Sequence, residues 1–225
     1  MPLSALPCPS GIELWLVDLD QPGDTPPWLA PEELARAERF HFEHDARRYR
    51  ASHAALRQLL ARRTGLDPLA LHFEQGAYGK PRLAAAQAPH FNLSHSGGWA
   101  LIGICASAPI GVDIEAPRAM DDLLALAEHH FSPREFEALR GVPQDRQPQS
   151  FLRCWTRKEA CLKALGSGLS VEPSVFEAGI APEALSTAIG FGGGTCRMEV
   201  ISLDLPQGLQ GAVARIAEAD RHLAL

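Results

Sequence analysis

Lysine is nearly absent from this 225-residue chain: Lys80, Lys158 and Lys163 are the only three, and arginine supplies the rest of the 21 basic residues. Basic charge as a whole is also short. With 27 Asp and Glu, the net charge is −6 and the pI about 5.8, which excludes a general nucleic-acid binder whose affinity rests on a basic surface. Long apolar runs are missing, and none approaches the roughly 18 residues needed to span a bilayer. The first residues lack a basic stretch ahead of an apolar one, so no signal peptide is expected. The five cysteines, Cys8, Cys105, Cys154, Cys161 and Cys196, are odd in number and form no C-x-x-C. That pattern indicates neither a disulfide framework nor a structural zinc site. P-loop, dinucleotide-fold and G-x-S-x-G motifs do not occur, which removes the commonest nucleotide sites and the esterase elbow. The remaining composition, 46% hydrophobic and 21% charged, supports a sizeable core. The expectation is a reduced, cytoplasmic, globular protein with no membrane or nucleic-acid partner.

Residues 11–19 alternate as a first strand, and a Pro/Gly/Asp-rich loop follows at 21–27. Pro31-Glu-Glu opens a helix, and a longer arginine-rich helix covers about 45–63. Short strands are expected at 69–74 and 81–84, around Gly76-Ala-Tyr-Gly-Lys-Pro, then two strands at 99–106 and 110–115 split by Ser-Ala-Pro. Residues 120–130 read as helical. Ser132-Pro-Arg-Glu135 is a capping box with proline at the first helical position. A strong helix covers 146–165 and stops at Gly166; 196–204 and 209–216 form a hairpin. A composition break at Ala108-Pro109 divides the chain into halves, 1–108 and 109–225.

Pro109-Ile-Gly-Val-Asp-Ile-Glu115 places Asp113 and Glu115 on one face of a strand, about 7 Å apart. Such a pair suits a hard divalent cation, and it equally suits a half-buried strand with a solvated acidic face. On the helix at 151–165, Cys154, Trp155, Cys161, Leu162 and Leu165 share an apolar arc, and Arg153, Arg157 and Ala160 fall opposite, toward solvent. Lys158 lies inside the apolar arc, where an ammonium requires an anionic partner. Glu159 and Lys163, four residues apart at the arc's edge, are either a surface ion pair or part of a metal-and-phosphate site. Arginines 36, 39, 47, 48, 50, 57, 62 and 63 crowd the first half; most are solvated positions, and one or two suit a bidentate phosphate clamp. Lys80 sits on a rigid turn, and Ser94, His95 and Ser96 precede a strand with hydrogen-bonding side chains that suit phosphate.

The order of these motifs carries more than any one of them. G-K-P at 79–81, F-N-L-S-H-S-G at 91–97, G-V-D-I-E at 111–115 and W-T-R-K-E-A-C-L-K-A-L-G at 155–166 together resemble the Sfp-like 4′-phosphopantetheinyl transferases, of the holo-acyl-carrier-protein synthase superfamily. The resemblance implies an α+β fold, a pseudo-dimer of two similar halves, each a small antiparallel sheet packed on a long helix. It implies an enzyme moving phosphopantetheine from coenzyme A to a serine of an apo acyl or peptidyl carrier protein, with Mg2+, working as a monomer. By the same resemblance Asp113, Glu115 and Glu159 are the magnesium ligands, and Glu159 is also the candidate base, with a metal-bound or bridging water as the alternative. Lys163 meets the pyrophosphate; Lys158 faces the phosphates as well. Ser94, His95, Lys80 and Arg48 contact the nucleotide and 3′-phosphate, with Arg47 an alternative to Arg48. The N-terminal half is then the nucleotide side and the C-terminal half the magnesium and pyrophosphate side. Leu123, Leu124 and Leu126, with the stretch from Phe131 to Arg140, form either a carrier-docking surface or plain core. Two other readings stay open: a magnesium-dependent phosphohydrolase, and a coenzyme A- or nucleotide-binding regulatory module.

Overall fold

A computed structural model describes residues 3–8, 11–21, 27–85 and 87–223; residues 22–26 of the expected loop at 21–27 lie outside them. The element order is β1 (Leu3–Leu6), β2 (Ile12–Asp18), α1 (Pro31–Ala37), α2 (Glu43–Thr64), β3 (Phe73–Gln75), β4 (Pro81–Leu83), β5 (His90–Ser96), β6 (Trp99–Cys105) and β7 (Ile110–Glu115). It continues with α3 (Leu123–His130), α4 (Pro133–Arg140), α5 (Gln147–Leu165), β8 (Leu185–Phe191), β9 (Gly194–Leu203) and β10 (Gln210–Ile216). Two four-stranded antiparallel sheets result, in the orders β1-β2-β6-β5 and β7-β10-β9-β8, plus the small hairpin β3-β4.

Alternation along the strands explains the layering. Val17, Ala100, Ile102, Ile104 and Phe91 pack on the α2 face built from Ala51, Ala55, Leu56, Leu59 and Leu60. The opposite face of the same sheet, Ile12, Leu14, Leu16 and Leu101, packs against Ile110, Val112, Ile114 and Val213 of the second sheet. That sheet's far face, Met198, Val200, Ala212 and Ala214, lies on Ala160, Cys161, Ala164 and Leu165 of α5. The order of layers is therefore α2, sheet, sheet, α5, an α+β arrangement with a long helix on each sheet. Both long helices end at a glycine in the left-handed region, Gly65 (φ 75°) and Gly166 (φ 73°), where a Cβ would be strained.

Three strands escape the sequence pattern. β1 is four residues long and β8 carries small polar residues. β5 contains the segment expected to precede a strand; its Asn92, Ser94 and Ser96 face a neighbouring strand rather than solvent. Pro68–Ala70 is a 3-10 turn capped by Asp67 in place of the start of the expected strand.

On α2, His53 stacks on Tyr49 with ring centroids 3.9 Å apart and donates from Nδ1 to the Tyr49 carbonyl at 3.0 Å. Burial pushes its imidazole down to about 4. The unfolded chain takes up that proton near pH 6.5, so stability is full above that value and falls as pH drops toward 4. The loss amounts to on the order of 3 kcal/mol. In urea titrations across pH 4–7, wild type should lose about 3 kcal/mol more stability than His53→Gln as pH falls from 6.5 to 4; identical profiles would refute the assignment.

Candidate active site

Strand β7 lies against α5 so closely that a Cβ on Gly111 would fall inside the backbone of Ala160 and Ala164. Nothing larger than glycine fits, and this contact brings the carboxylates of β7 beside those of α5. Asp113 is buried, 4% exposed. Its Oδ1 accepts from Ser94 Oγ at 2.8 Å and from Lys163 Nζ at 2.5 Å. Its Oδ2 is buried with no partner among the described residues. Glu115 accepts from Ser96 Oγ at 2.8 Å and from Arg118 at 3.0 Å. Glu159 faces the same space from α5. Burial raises its carboxyl above the usual range, the Lys163 ammonium opposes this, and Asp113 and Glu115 add to it. Burial likewise raises Asp113, against the pull of Lys163. Three carboxylates and one ammonium therefore share one partly desolvated pocket.

The charge of that pocket fits a divalent cation: a buried Asp113 oxygen without a partner among the described residues, Glu159 held above the usual carboxyl range, and Glu115 close by. Among the described residues no three His, Cys, Asp or Glu side chains are placed to hold a metal ion as they stand. Lys163 occupies Oδ1 of Asp113, which leaves Oδ2 as the oxygen open to a cation while that ammonium stays in place.

The remaining sequence candidates divide. Ser94 bridges Asp113 and Lys163, donating to the first and accepting from the second at 3.1 Å. His95 lies beside them on β5; burial first and the Lys163 ammonium second hold its imidazole below the ordinary range. Arg48 grips Asp20 through two nitrogens, at 2.9 and 2.6 Å, and Arg47 shares the same carboxylate at 2.8 Å. Its fork is thus shaped for an oxyanion and holds a carboxylate. Lys80 donates to the carbonyls of Ile110 (3.0 Å) and Ala164 (3.1 Å), so its ammonium grips β7 and the last turn of α5, and burial pushes it down to about 8.

Lys158 corrects the sequence reading. It is fully buried and does not reach the carboxylate pocket. Its ammonium pairs with Glu135 at 2.7 Å and donates to the carbonyls of Pro173 (2.7 Å) and Phe176 (2.6 Å). The other Glu135 oxygen accepts the Ala178 and Gly179 amides at 2.6 and 2.8 Å. Arg157 and Ala160, placed in solvent by helical periodicity, are also buried. The Arg157 guanidinium donates to the carbonyls of Ala181 and Glu183 at 2.6 and 2.9 Å. The chain after α5 folds back over this face, which periodicity within the helix does not encode. Leu123 belongs to the core with Ala127, Phe131 and Leu139, whereas Leu124 is 42% exposed.

Sequence reasoning passed over Gly111 and Asn92. The glycine had a signal, being the small residue of a strand that ends in two carboxylates. Gly111→Ala is expected to force β7 off α5, at a cost of about 1–3 kcal/mol or more, read as a lowered melting temperature together with lost activity. Melting within a degree of wild type would contradict the packing described here.

Comparison with known proteins identifies the family. Residues 25–107 match the family described as 4′-phosphopantetheinyl transferase, N-terminal, and residues 109–203 match the 4′-phosphopantetheinyl transferase superfamily. The chain is 40% identical over 166 residues to the 4′-phosphopantetheinyl transferase HetI of a Nostoc species, covering 71% of this chain and 70% of that protein. It is 37% identical over 161 residues to the psf-1 transferase of Bacillus pumilus, covering 72% and 68%. A Bacillus subtilis 4′-phosphopantetheinyl transferase is 31% identical over 199 residues, covering 88% and 80%. With two family segments meeting near residue 108 and relatives that span most of its length, this chain belongs to the Sfp-like 4′-phosphopantetheinyl transferases.

Proposed function

We propose that the protein transfers the 4′-phosphopantetheine group of coenzyme A to a serine hydroxyl of an apo acyl or peptidyl carrier protein, releasing 3′,5′-ADP. The observation that carries the reading is the unpartnered, buried Oδ2 of Asp113 inside a pocket shared with Glu115, Glu159 and Lys163. Asp113, Glu115 and Glu159 would hold Mg2+, which when bound neutralises charge on the pyrophosphate oxygens. The serine oxygen forms a bond to the pantetheine-side phosphorus as the bond to the bridging oxygen breaks, and the electron pair leaves on 3′,5′-ADP. Glu159 takes the serine proton. Lys163 turns from Asp113 toward the departing phosphate and stabilises its charge. Ser94, His95 and the Arg48 fork bind the nucleotide end, making the N-terminal half (1–108) the nucleotide side and the C-terminal half (109–225) the pyrophosphate side.

Among the described residues no helix is long and apolar enough to cross a membrane; the reading places the protein in the cytoplasm as a monomer. Carrier docking falls on exposed Leu124 rather than Leu123. Leu124→Asp should raise KM for the carrier about five- to tenfold with an unchanged melting temperature, while Leu123→Asp should prevent folding. Equal effects at both positions would exclude this face.

The deciding experiment is the intact mass of an apo carrier protein after incubation with the protein, coenzyme A and Mg2+, with EDTA as control. A gain of one phosphopantetheine group that EDTA abolishes is expected. Coenzyme A binding without any gain, across several carriers, would instead favour the regulatory module.

A further inference from the structure

Strand β7, which carries Asp113 and Glu115, is the edge strand of the second sheet, and β5 is the edge strand of the first. The two lie side by side without a backbone ladder between them among the described residues. An edge strand presents every second residue's amide and carbonyl outward, and buried groups of this kind need partners. Side chains from the first half supply them. Asn92 Oδ1 accepts the Val112 amide at 2.8 Å, Ser96 Oγ accepts the Ala116 amide at 3.1 Å, and Lys80 donates to the Ile110 carbonyl at 3.0 Å. Between these contacts Ser94 and Ser96 donate to the carboxylates of Asp113 and Glu115, each at 2.8 Å.

The register is regular. Asn92, Ser94 and Ser96 occupy one face of β5 at period two, and they meet β7 at positions that climb in step with them. A side-chain ladder thus stands where a parallel backbone ladder would be, and it fixes how far β7 can slide along the first sheet. A slip of two residues would carry Asp113, together with Lys163 and Glu159 of α5, about 6–7 Å from Ser94 on β5.

We propose that Asn92 is a positioning residue for the carboxylate pocket: it touches neither coenzyme A nor metal, and it sets the register of β7 by holding the Val112 amide from across the seam between the halves. The functional part of this inference rests on the transferase reading above; its structural part does not.

The test is amide hydrogen exchange in EDTA, without substrate, on wild type, Asn92→Leu and Asn92→Asp. In Asn92→Leu the Val112 amide should exchange at least about tenfold faster, while the Asp113 and Glu115 amides, which face β10, keep their protection. Asn92→Asp retains an acceptor and should restore Val112 protection. In carrier modification, Asn92→Leu should lower kcat about 10- to 100-fold with the coenzyme A dissociation constant within threefold of wild type. Unchanged Val112 exchange in Asn92→Leu overturns the proposal. So does a tenfold weaker coenzyme A affinity with normal kcat, which would make Asn92 a contact residue. A kcat loss that merely follows the unfolded fraction also overturns it. If Asn92→Leu does not fold, Ser96→Ala replaces it, with Ala116 as the amide read. A wild-type protein that modifies no carrier would refute the transferase reading alone, because the exchange comparison still decides the ladder.

Discussion

Asp113→Asn is expected to lower carrier modification by on the order of 10³-fold or more while leaving the fold intact. Asparagine is isosteric and can still accept from Ser94 and Lys163, both of which meet Oδ1 in the structure. The change removes a negative charge whose second oxygen is buried and unpartnered, and it leaves the pocket with Glu115 and Glu159 alone. Removing one preorganised charge-stabilising group costs on the order of 10²–10³ in rate; a lost cation would add to this. Time courses of intact carrier mass, paired with thermal melts, give the answer. A variant that keeps more than a tenth of wild-type turnover would show that the pocket is not the reacting centre.

Lys158→Met should act on the opposite property. Glu135 is 4% exposed and Lys158 fully buried. Burial alone would raise the Glu135 carboxyl, yet Lys158 and the Ser132 and Gly179 amides bring it below the usual range. Removing the ammonium strands a charge inside α4, α5 and the 173–179 segment, at a cost of about 3–5 kcal/mol. For a chain of this size that corresponds to a melting temperature lower by roughly 10 °C. The folded fraction should bind coenzyme A normally. The double variant Lys158→Met/Glu135→Leu should recover most of the loss, because a buried pair replaced by apolar groups is often neutral. Weakened coenzyme A binding at an unchanged melting temperature would instead return Lys158 to the phosphates.

Local patterns were legible where short-range chemistry governs. The Ser132–Glu135 capping box forms as expected, with Ser132 Oγ accepting the Glu135 amide and the Glu135 carboxylate accepting the Ser132 amide. The stop at Gly166 and the strands carrying Val17, Ile102 and Val112 follow the same logic. Motif order implied that Asp113 and Lys163 serve one site; their ion pair was not legible, and it depends on the Gly111 contact with α5. What failed was long-range. Lys158 showed its need for an anion in the helical pattern, but not that Glu135, from α4, would satisfy it before any phosphate could. Arg157 read as solvated because the segment that covers it lies 24 residues further on. Ser96 read as a phosphate-binding side chain ahead of a strand, and Asn92 had no assigned role, because nothing local reveals that their polar face meets a second edge strand.

The seam between the sheets has a kinetic consequence. Each half owns a helix and a sheet, and only the short stretch from Ala106 to Pro109 joins β6 to β7. That tether keeps each half at an effective concentration in the millimolar range for the other. Cut there, the chain would become two fragments that meet by diffusion, and turnover would rise with the product of their concentrations until the complex saturates. Continuity of the polypeptide thus makes activity independent of dilution, although no atom of the connecting residues takes part in the chemistry.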